Sequence, residues 1–106
     1  MLTSCVLIGK VKEKVELNTT SRGTTIGNLL LEVERPFKSE NGMPQTDTFR
    51  ITLWRGIAEE CAELCEIGTI VAVKGRLQTS SFEGEGKVYH NCEIIAEKVS
   101  YVPRTY

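Results

Sequence analysis

Residues 48–55 alternate strictly between an apolar side and a mostly polar side, which is the pattern of a half-buried β-strand. The apolar side is predicted to face the core and consists of Phe49, Ile51 and Leu53. The other side is unusual, because it combines the only tryptophan, Trp54, with Arg50 and two threonines. A tryptophan that shares a surface with a cation indicates either an exposed stacking surface or part of an interface.

Four further strand patterns and one helix pattern follow from the same kind of periodicity. Strands are predicted over residues 5–17, 24–34, 69–79 and 88–99, and a helix over residues 56–68. Gly9 and Gly75 interrupt strand patterns and predict β-bulges, whereas Gly68 is expected to cap the helix. The core positions predicted in these elements are Leu29, Leu31, Val33, Val71, Val73, Leu77, Ile57, Cys61, Leu64 and Cys65.

Two predicted loops carry aromatic residues. Residues 35–47 contain Pro36, Asn41-Gly42 and Pro44, so they form a loop long enough to be functional, and Phe37 and Lys38 stand at its base. Residues 82–87 begin with Phe82 and contain two glycines, which is typical of a hairpin loop.

The element order is three strands, a helix and two strands, and the helix is too short to form a parallel crossover layer. This order predicts an all-β protein with the OB-fold, a five-stranded antiparallel Greek-key barrel with one short helix between strands 3 and 4. A chain of 106 residues suffices for one such core, so residues 1–106 are predicted to be a single OB-fold domain. The usual ligands of this fold are oligonucleotides and oligosaccharides.

The formal net charge of −1 and the pI near 5.9 argue against a protein that binds duplex nucleic acid by bulk electrostatics. Charge is unevenly distributed, however. Residues 57–67 contain four glutamates and no lysine or arginine, and the rest of the chain therefore holds 13 basic against 10 acidic residues. A moderately basic face opposite an acidic helix is expected.

The residues offer little for catalysis. One histidine, one aspartate and no nucleophile elbow leave no recognisable catalytic group, so an enzyme is not predicted. The segment Gly84-Glu85-Gly86-Lys87 lacks the first glycine of a P-loop and is interpreted as a hairpin tip. No long apolar run or cleavable signal is visible, so a cytoplasmic location without membrane association is expected.

The four cysteines are Cys5, Cys61, Cys65 and Cys92. The simpler interpretation is four small core residues in a reducing compartment. The alternative is a metal site formed by Cys61, Cys65, His90 and Cys92, but the usual close paired spacings are missing. Neither a metal nor another cofactor is therefore predicted.

Several segments resemble the bacterial single-stranded DNA-binding protein (SSB) family, and they occur in the family's order and spacing over nearly the whole chain. These segments are Val6-Leu7-Ile8-Gly9-Lys10-Val11, Leu53-Trp54-Arg55-Gly56-Ile57-Ala58-Glu59, Gly68-Thr69 and Gly75-Arg76-Leu77-Gln78-Thr79. The resemblance implies that aromatic residues in the loop after the second strand, on the third strand and in the last hairpin stack on bases. The matching positions are Phe37, Trp54 and Phe82.

Base stacking on a flat aromatic ring contributes roughly 1–3 kcal/mol per base without reading base identity, and phosphates then require nearby cations. The candidate phosphate contacts are Arg50, Arg55, Lys38, Lys87, Arg22, Lys74 and Arg76. Each of them also has an interpretation as an ordinary surface charge. The alternative for Phe37 and Phe82 is packing beneath a loop, and the alternative for Trp54 is a subunit interface.

Two features depart from the family pattern. Thr48 stands where members commonly carry a further aromatic residue, so one stacking position is expected to be missing. The sequence ends at Pro103-Arg104-Thr105-Tyr106 without the linker and acidic tip by which typical members recruit replication and repair proteins. This ending indicates the family's primosomal branch, which includes PriB, as an alternative.

The sequence therefore predicts binding of single-stranded DNA without strong sequence preference, in DNA replication, recombination or repair, in the cytoplasm at the nucleoid. A PriB-like role in replication restart with primosome proteins, and an OB-fold module for protein interaction, are the alternatives. A homo-oligomer, dimer or tetramer, is also expected, because Val6, Leu7 and Ile8 form an apolar strand that can pair across a twofold axis.

Overall fold

The computed structural model describes residues 3–102, which form six β-strands and one α-helix. The strands are β1 (Cys5–Val11), β2 (Leu17–Thr19), β3 (Thr25–Glu34), β4 (Thr46–Trp54), β5 (Ile70–Gly84) and β6 (Lys87–Tyr101). Helix α1 (Arg55–Leu64) connects β4 to β5. The ending at residues 103–106, which the sequence analysis singled out, lies outside the described residues.

The strands form one sheet in the order β1-β5-β6-β4-β3-β2, and β1 also pairs with β3. This second pairing joins Lys10 and Val11 to β3 and bends the sheet into a barrel. The OB-fold prediction is confirmed. One pairing is parallel rather than antiparallel, namely β4 with β6 at Ile51–Ile94 and Thr52–Ile95. Because α1 and β5 separate these two strands in sequence, no hairpin turn forces them to run in opposite directions.

The predicted first strand, residues 5–17, is two strands in the structure, since β1 ends at Val11 and β2 begins at Leu17. The bulge predicted at Gly9 is wrong, because the register between β1 and β5 runs unbroken from Cys5 to Lys10. A Cβ atom on Gly9 would lie 2.3 Å from the carbonyl oxygen of Glu32, so glycine is required there for close approach of β3.

The irregularity predicted at Gly75 is confirmed. The pairing of β5 with β6 shifts between Lys74 and Gly75, and the extra residue lies on the opposite strand. That residue is Glu97, because Lys74 pairs with Lys98 whereas Gly75 pairs with Ala96.

The barrel is filled by a cluster of buried side chains from β1, β3, β4, α1, β5 and β6, together with one residue between β1 and β2 and one directly after α1. Its members are Val11, Val15, Leu29, Leu31, Ile51, Leu53, Ala58, Cys61, Cys65, Val71, Val73 and Ala96. Val33 and Ile57 are half-buried and pack against this cluster. Most of the predicted core is thus confirmed.

Three predicted core residues are more exposed than expected. Phe49 is only half-buried, and Leu77 and Leu64 are exposed. Leu77 lies where β5 has run past its last pair with β1, at Gly75, so it lacks the β1 neighbour that Val71 and Val73 have. Leu64 is the last residue of α1 and lies beside the buried stripe of that helix rather than on it.

The end of α1 also differs from the expectation. The helix ends at Leu64, so Gly68 does not cap it. Gly68 instead has a φ of 92° in a tight turn that the Thr69 amide closes by donating a hydrogen bond to the Glu66 carbonyl. A side chain is disfavoured at this φ, which explains the glycine.

The expectation of four buried cysteines holds for two of them. Cys61 and Cys65 are buried, Cys5 is half-buried and Cys92 is exposed, and all four are free. The Cys61 Sγ atom lies 3.4 Å from the Tyr101 hydroxyl oxygen. Burial, together with this hydrogen bond, raises the pKa of Tyr101 above its usual value, so the phenol stays neutral.

Residues 3–102 contain no cluster of three or more histidine, cysteine or acidic side chains suited to hold a metal ion. The alternative site at Cys61, Cys65, His90 and Cys92 is not assembled, because the first two are in the core and the last two are exposed on β6. Within the same range, the helix is neither long nor apolar enough to traverse a bilayer.

Candidate nucleic-acid interface

The two sides of β4 have different environments, as the alternation predicts. Ile51 and Leu53 are fully buried, whereas Arg50 is exposed and Trp54 is 38% exposed. Thr52 lies between Arg50 and Trp54 on the outer side but is itself buried. We call the outer side of this strand, with its neighbours on β3, the β4 face.

Trp54 is the last residue of β4, and the chain turns sharply immediately after it. Arg55 has a φ of 54°, the left-handed region that is uncommon for a residue with a side chain. This turn starts α1 and takes Arg55 out of the alternation of the strand. Arg55 is exposed at the start of the helix, next to Trp54 but not on the β4 face.

Strand β3 extends the β4 face through residues directly opposite in an antiparallel pair, which point to the same side of a sheet. Ile26 pairs with Trp54, Asn28 with Thr52 and Leu30 with Arg50. An open groove of about 380 Å³ lies here, lined by Asn28, Leu30, Arg50, Asn18, Lys14, Glu13 and Glu16. The face therefore offers amide, apolar and cationic groups along one groove.

Sequence reasoning missed two cations of this face. Lys14 lines the groove, and the Lys12 ammonium donates a hydrogen bond of 3.2 Å to the Thr48 hydroxyl. Both belong to residues 12–16, which connect β1 to β2 in the structure. The sequence pattern predicts one continuous strand there. The charged alternation of this segment was the available signal. Glu13 and Glu16 line the same groove and reduce its positive potential.

Strand β6 joins the β4 face on its other side. The Thr52 hydroxyl donates a hydrogen bond of 2.7 Å to a carboxylate oxygen of Glu93, so both side chains lie on the same side of the sheet. Gln78 of β5 is opposite Glu93, and Arg76 and Lys74 follow on the same side of β5 by alternation. The outer surface is thus continuous from β3 to β5.

Lys74 and Arg76 lie two strands away from β4 on this surface. Arg76 faces Glu97, with a nitrogen-to-oxygen distance of 4.0 Å and both side chains nearly half exposed. Such an ion pair is weak in water, so the guanidinium can exchange this partner for another anion.

Beyond Leu77, strands β5 and β6 continue as a two-stranded ribbon, in which residues 78–84 pair only with β6. The predicted loop 82–87 is shorter in the structure, because the strands run to Gly84 and from Lys87. Glu85 and Gly86 alone form the turn, with φ values of 52° and 77°. Two positive φ values match a type I′ hairpin turn.

Phe82 lies within the ribbon rather than in a loop. Its ring stacks on the ring of Tyr89, with centroids 5.2 Å apart and planes inclined by 19°. Phe82 is on the same side of β5 as Arg76, and Lys87 is on the same side of β6 as Tyr89 and Glu93. The ribbon therefore carries two aromatic rings and a cation on the side that continues from the β4 face.

Phe37 lies in the β3–β4 loop and is 64% exposed, next to the exposed Lys38. The base of this loop is held by Arg35, whose guanidinium donates hydrogen bonds of 2.9 and 2.7 Å to the two oxygens of the Asp47 carboxylate. These hydrogen bonds, together with the charge of Arg35, hold the pKa of Asp47 below its usual value. The alternative that Phe37 packs beneath its loop does not fit its exposure.

The aromatic residues lie at two ends of one surface. Trp54 ends β4, and the turn with Arg22 precedes β3 at the same end, because Ile26 pairs with Trp54. The Phe37 loop precedes β4 at the other end, and the ribbon extends in that direction because β6 runs parallel to β4. A strand of this length spans about 27 Å at roughly 3.4 Å per residue, which is the distance of several nucleotides.

The fold and this surface together define a class of protein, namely a small OB-fold barrel with exposed aromatic rings and cations along one outer side. The model of the single-strand binding protein family matches residues 2–102, and the chain belongs to this family.

Proteins with similar sequences are also described as single-stranded DNA-binding proteins. The chain is 34% identical over 103 residues to the single-stranded DNA-binding protein of Oceanobacillus iheyensis, covering 96% of this chain and 64% of that protein. It is 35% identical to single-stranded DNA-binding protein B of Bacillus subtilis, covering 91% of that protein. A crystal structure of a deletion mutant of the single-stranded DNA binding protein from Thermus aquaticus superposes with a TM-score of 0.78 at 26% identity, covering 96% of this chain and 51% of that one. The chain thus spans less than two thirds of several proteins that it resembles.

Proposed function

We propose that this chain binds single-stranded DNA without strong sequence preference. Bases stack on Trp54, Phe37 and Phe82, and cations beside these rings hold the phosphates. The observation that carries the proposal is the position of Trp54, which is 38% exposed on the same outer side of β4 as the exposed Arg50, while Ile51 and Leu53 on the opposite side are fully buried. Membership of the single-strand binding protein family supports the same conclusion.

The preference for a single strand follows from the geometry of bases. Unpaired bases can rotate onto an aromatic ring, whereas paired bases have both faces covered by neighbouring pairs. Every base has a π-face, so stacking contributes free energy without reading identity. The separation of Trp54 from Phe37 and Phe82 along the outer surface suits an extended chain of nucleotides rather than a single one.

The proposed phosphate contacts divide by location. Arg50 shares the outer side of β4 with Trp54, Arg55 follows Trp54 in sequence, Lys38 follows Phe37, and Lys87 lies on the ribbon near Phe82. Lys74, Arg76 and Arg22 stand at the margins of the surface, and Lys12 and Lys14 join Arg50 beside the groove. Acidic residues offset these cations, since the whole chain has a net charge of −1, so the net attraction for phosphates is modest and binding depends strongly on stacking.

The fluorescence of Trp54 tests the proposal directly, because it is the only tryptophan. Oligo-dT should quench most of its emission, and duplex of equal length should quench it much less. Trp54→Ala should weaken binding by roughly 1–3 kcal/mol without unfolding the protein, since Ile51 and Leu53 form the core on the opposite side. Trp54→Phe, which keeps a stacking ring, should retain most of the affinity.

Other outcomes would contradict the proposal. A folded protein whose emission oligo-dT leaves unchanged would remove the assignment of Trp54. A change of subunit number in Trp54→Ala with unaltered DNA affinity would place the tryptophan in an interface instead. Absence of any oligo-dT binding would favour a protein-interaction module on the same barrel.

We further propose a homo-oligomer, dimer or tetramer, in which β1 strands of two copies pair. Val6 and Ile8 are 67% and 59% exposed, and among the described residues β1 pairs with β3 only at Lys10 and Val11, which leaves the rest of that edge free. An apolar free edge is a ready site for strand pairing. Ile8→Glu should lower the sedimentation coefficient, while Leu64→Glu on the exposed side of α1 should not. A wild-type monomer at micromolar concentration would contradict the proposal.

The cellular role that fits this activity is protection of single strands in replication, recombination or repair, at the nucleoid in the cytoplasm. A PriB-like role with primosome proteins remains a prediction from the sequence.

A further inference from the structure

Tyr89 is the one aromatic residue of the ribbon that the sequence analysis left without a role. It is directly opposite Phe82 in the pairing of β5 with β6. The two rings stack at 5.2 Å between centroids, with an angle of 19° between their planes. Both side chains nevertheless stay about half exposed, at 51% for Phe82 and 42% for Tyr89. The pair therefore lies on the surface and is not part of the core.

Gly84 also borders the Tyr89 ring. Its missing Cβ atom would stand 3.5 Å from Cε2 of Tyr89, which is ordinary van der Waals contact, so the ring lies alongside the backbone of Gly84. The type I′ turn at Glu85 and Gly86 sets the register that brings Phe82 and Tyr89 opposite each other. The turn, the glycine and the register together hold the Tyr89 ring against Phe82.

A phenylalanine alone on a two-stranded ribbon would rotate among several rotamers, because no third strand packs against it. A neighbouring ring at stacking distance restricts this rotation by covering one side of the phenyl group. The other side remains open for a base. A ring that is ordered before binding loses less conformational entropy when the base arrives, so pre-organisation raises affinity.

We propose that Tyr89 is a positioning residue for single-stranded DNA binding, which holds the Phe82 ring so that its open side receives a base. This inference rests on the proposed function and specifies how the ribbon contributes to it. The Tyr89 ring acts through Phe82, so its aromatic ring is required and its hydroxyl is not. Lys87, two residues earlier on the same side of β6, supplies a cation for the adjacent phosphate.

A double-mutant cycle on the intact chain tests the proposal with oligo-dT as the ligand. Phe82→Ala should weaken binding by about 5- to 150-fold, the loss of one base stack. Tyr89→Ala should cause a substantial part of this loss, and the double variant should bind no more weakly than Phe82→Ala. Tyr89→Phe should bind like the wild type. Val88→Ala is the matched control, since it is exposed on the same ribbon but on the opposite side.

Thermal unfolding separates positioning from stability, because all three positions are exposed and their variants should unfold with the wild-type midpoint. Unchanged affinity in Tyr89→Ala would overturn the proposal. The proposal would also be overturned if the affinity losses of Phe82→Ala and Tyr89→Ala added fully in the double variant, since Tyr89 would then contact the DNA independently of Phe82. Failure of the wild-type chain to bind oligo-dT would instead overturn the proposed function, and this inference with it.

Discussion

Thr52 and Glu93 are joined by a hydrogen bond of 2.7 Å between the threonine hydroxyl and a carboxylate oxygen. The two residues are 41 positions apart and belong to β4 and β6, the only parallel neighbours among the described strands. Thr52 is 6% exposed, so this is the buried polar contact of the outer surface. It fixes β6, and therefore the ribbon, beside the strand that carries Trp54.

Replacing Thr52 with valine should test this contact, because valine keeps the shape and removes the donor. Hydrogen bonds to charged groups contribute about 1.5–3 kcal/mol, so Thr52→Val should lower the free energy of unfolding by roughly that amount. Denaturant titration measures the change. Thr48→Val, which alters an exposed threonine on the same strand, should change stability by less than about 0.5 kcal/mol. Equal effects of the two variants would contradict the importance of the Thr52 bond.

Two glycine-to-alanine substitutions should have opposite signs. Gly9→Ala places a Cβ atom 2.3 Å from the backbone oxygen of Glu32, so it should destabilise the protein by about 1–3 kcal/mol or more. Gly56 lies in α1 with no atom within 4 Å of the added methyl group. Gly56→Ala should therefore stabilise the protein by up to about 1 kcal/mol. Thermal unfolding of both variants gives the signs.

Removal of Arg50 should change the salt dependence of DNA binding. The logarithm of the affinity falls with the logarithm of salt concentration by about 0.7 per phosphate neutralised on a single strand. Arg50→Ala should make the slope shallower by about this amount. Lys98→Ala removes a cation directly opposite Lys74, so it should make the slope shallower only if the bound strand also reaches β5 and β6 at this end of the surface. A steep wild-type slope that neither variant alters would show that the phosphates lie elsewhere.

The Arg35–Asp47 ion pair should make the β3–β4 loop sensitive to acid. Since the folded protein lowers the pKa of Asp47, the stabilisation is complete above the ordinary aspartate value of about 3.9 and is lost as pH falls through the lower folded value. Asp47→Asn should loosen residues 36–45 at neutral pH, as measured by NMR relaxation. Glu40→Gln, an exposed acid of the same loop, should not. A variant loop as rigid as the wild type would contradict this role.

Much of the fold was predictable because its signals are local. The alternation of residues 48–55 identified the buried Ile51 and Leu53 and the outward Arg50 and Trp54, since successive side chains of a pleated strand point to opposite sides of the sheet. The errors occurred where neighbours decide burial. Leu77 and Leu64 are as apolar as Leu29, yet one lies past the end of β1 and the other beside the buried stripe of α1.

Some residues of the candidate site were likewise predictable from the sequence, and others were not. The periodicity of the sequence predicted the barrel, and the resemblance of its segments to the single-stranded DNA-binding protein family indicated Trp54, Phe37 and Phe82 as stacking residues, since both signals depend only on the order of residues along the chain. Only the tertiary structure decided that Tyr89 stacks on Phe82 and that Glu93 accepts the hydrogen bond of Thr52. Such pairs depend on strand register and on barrel closure, which are set by packing between segments distant in sequence and leave no periodic signal within either segment.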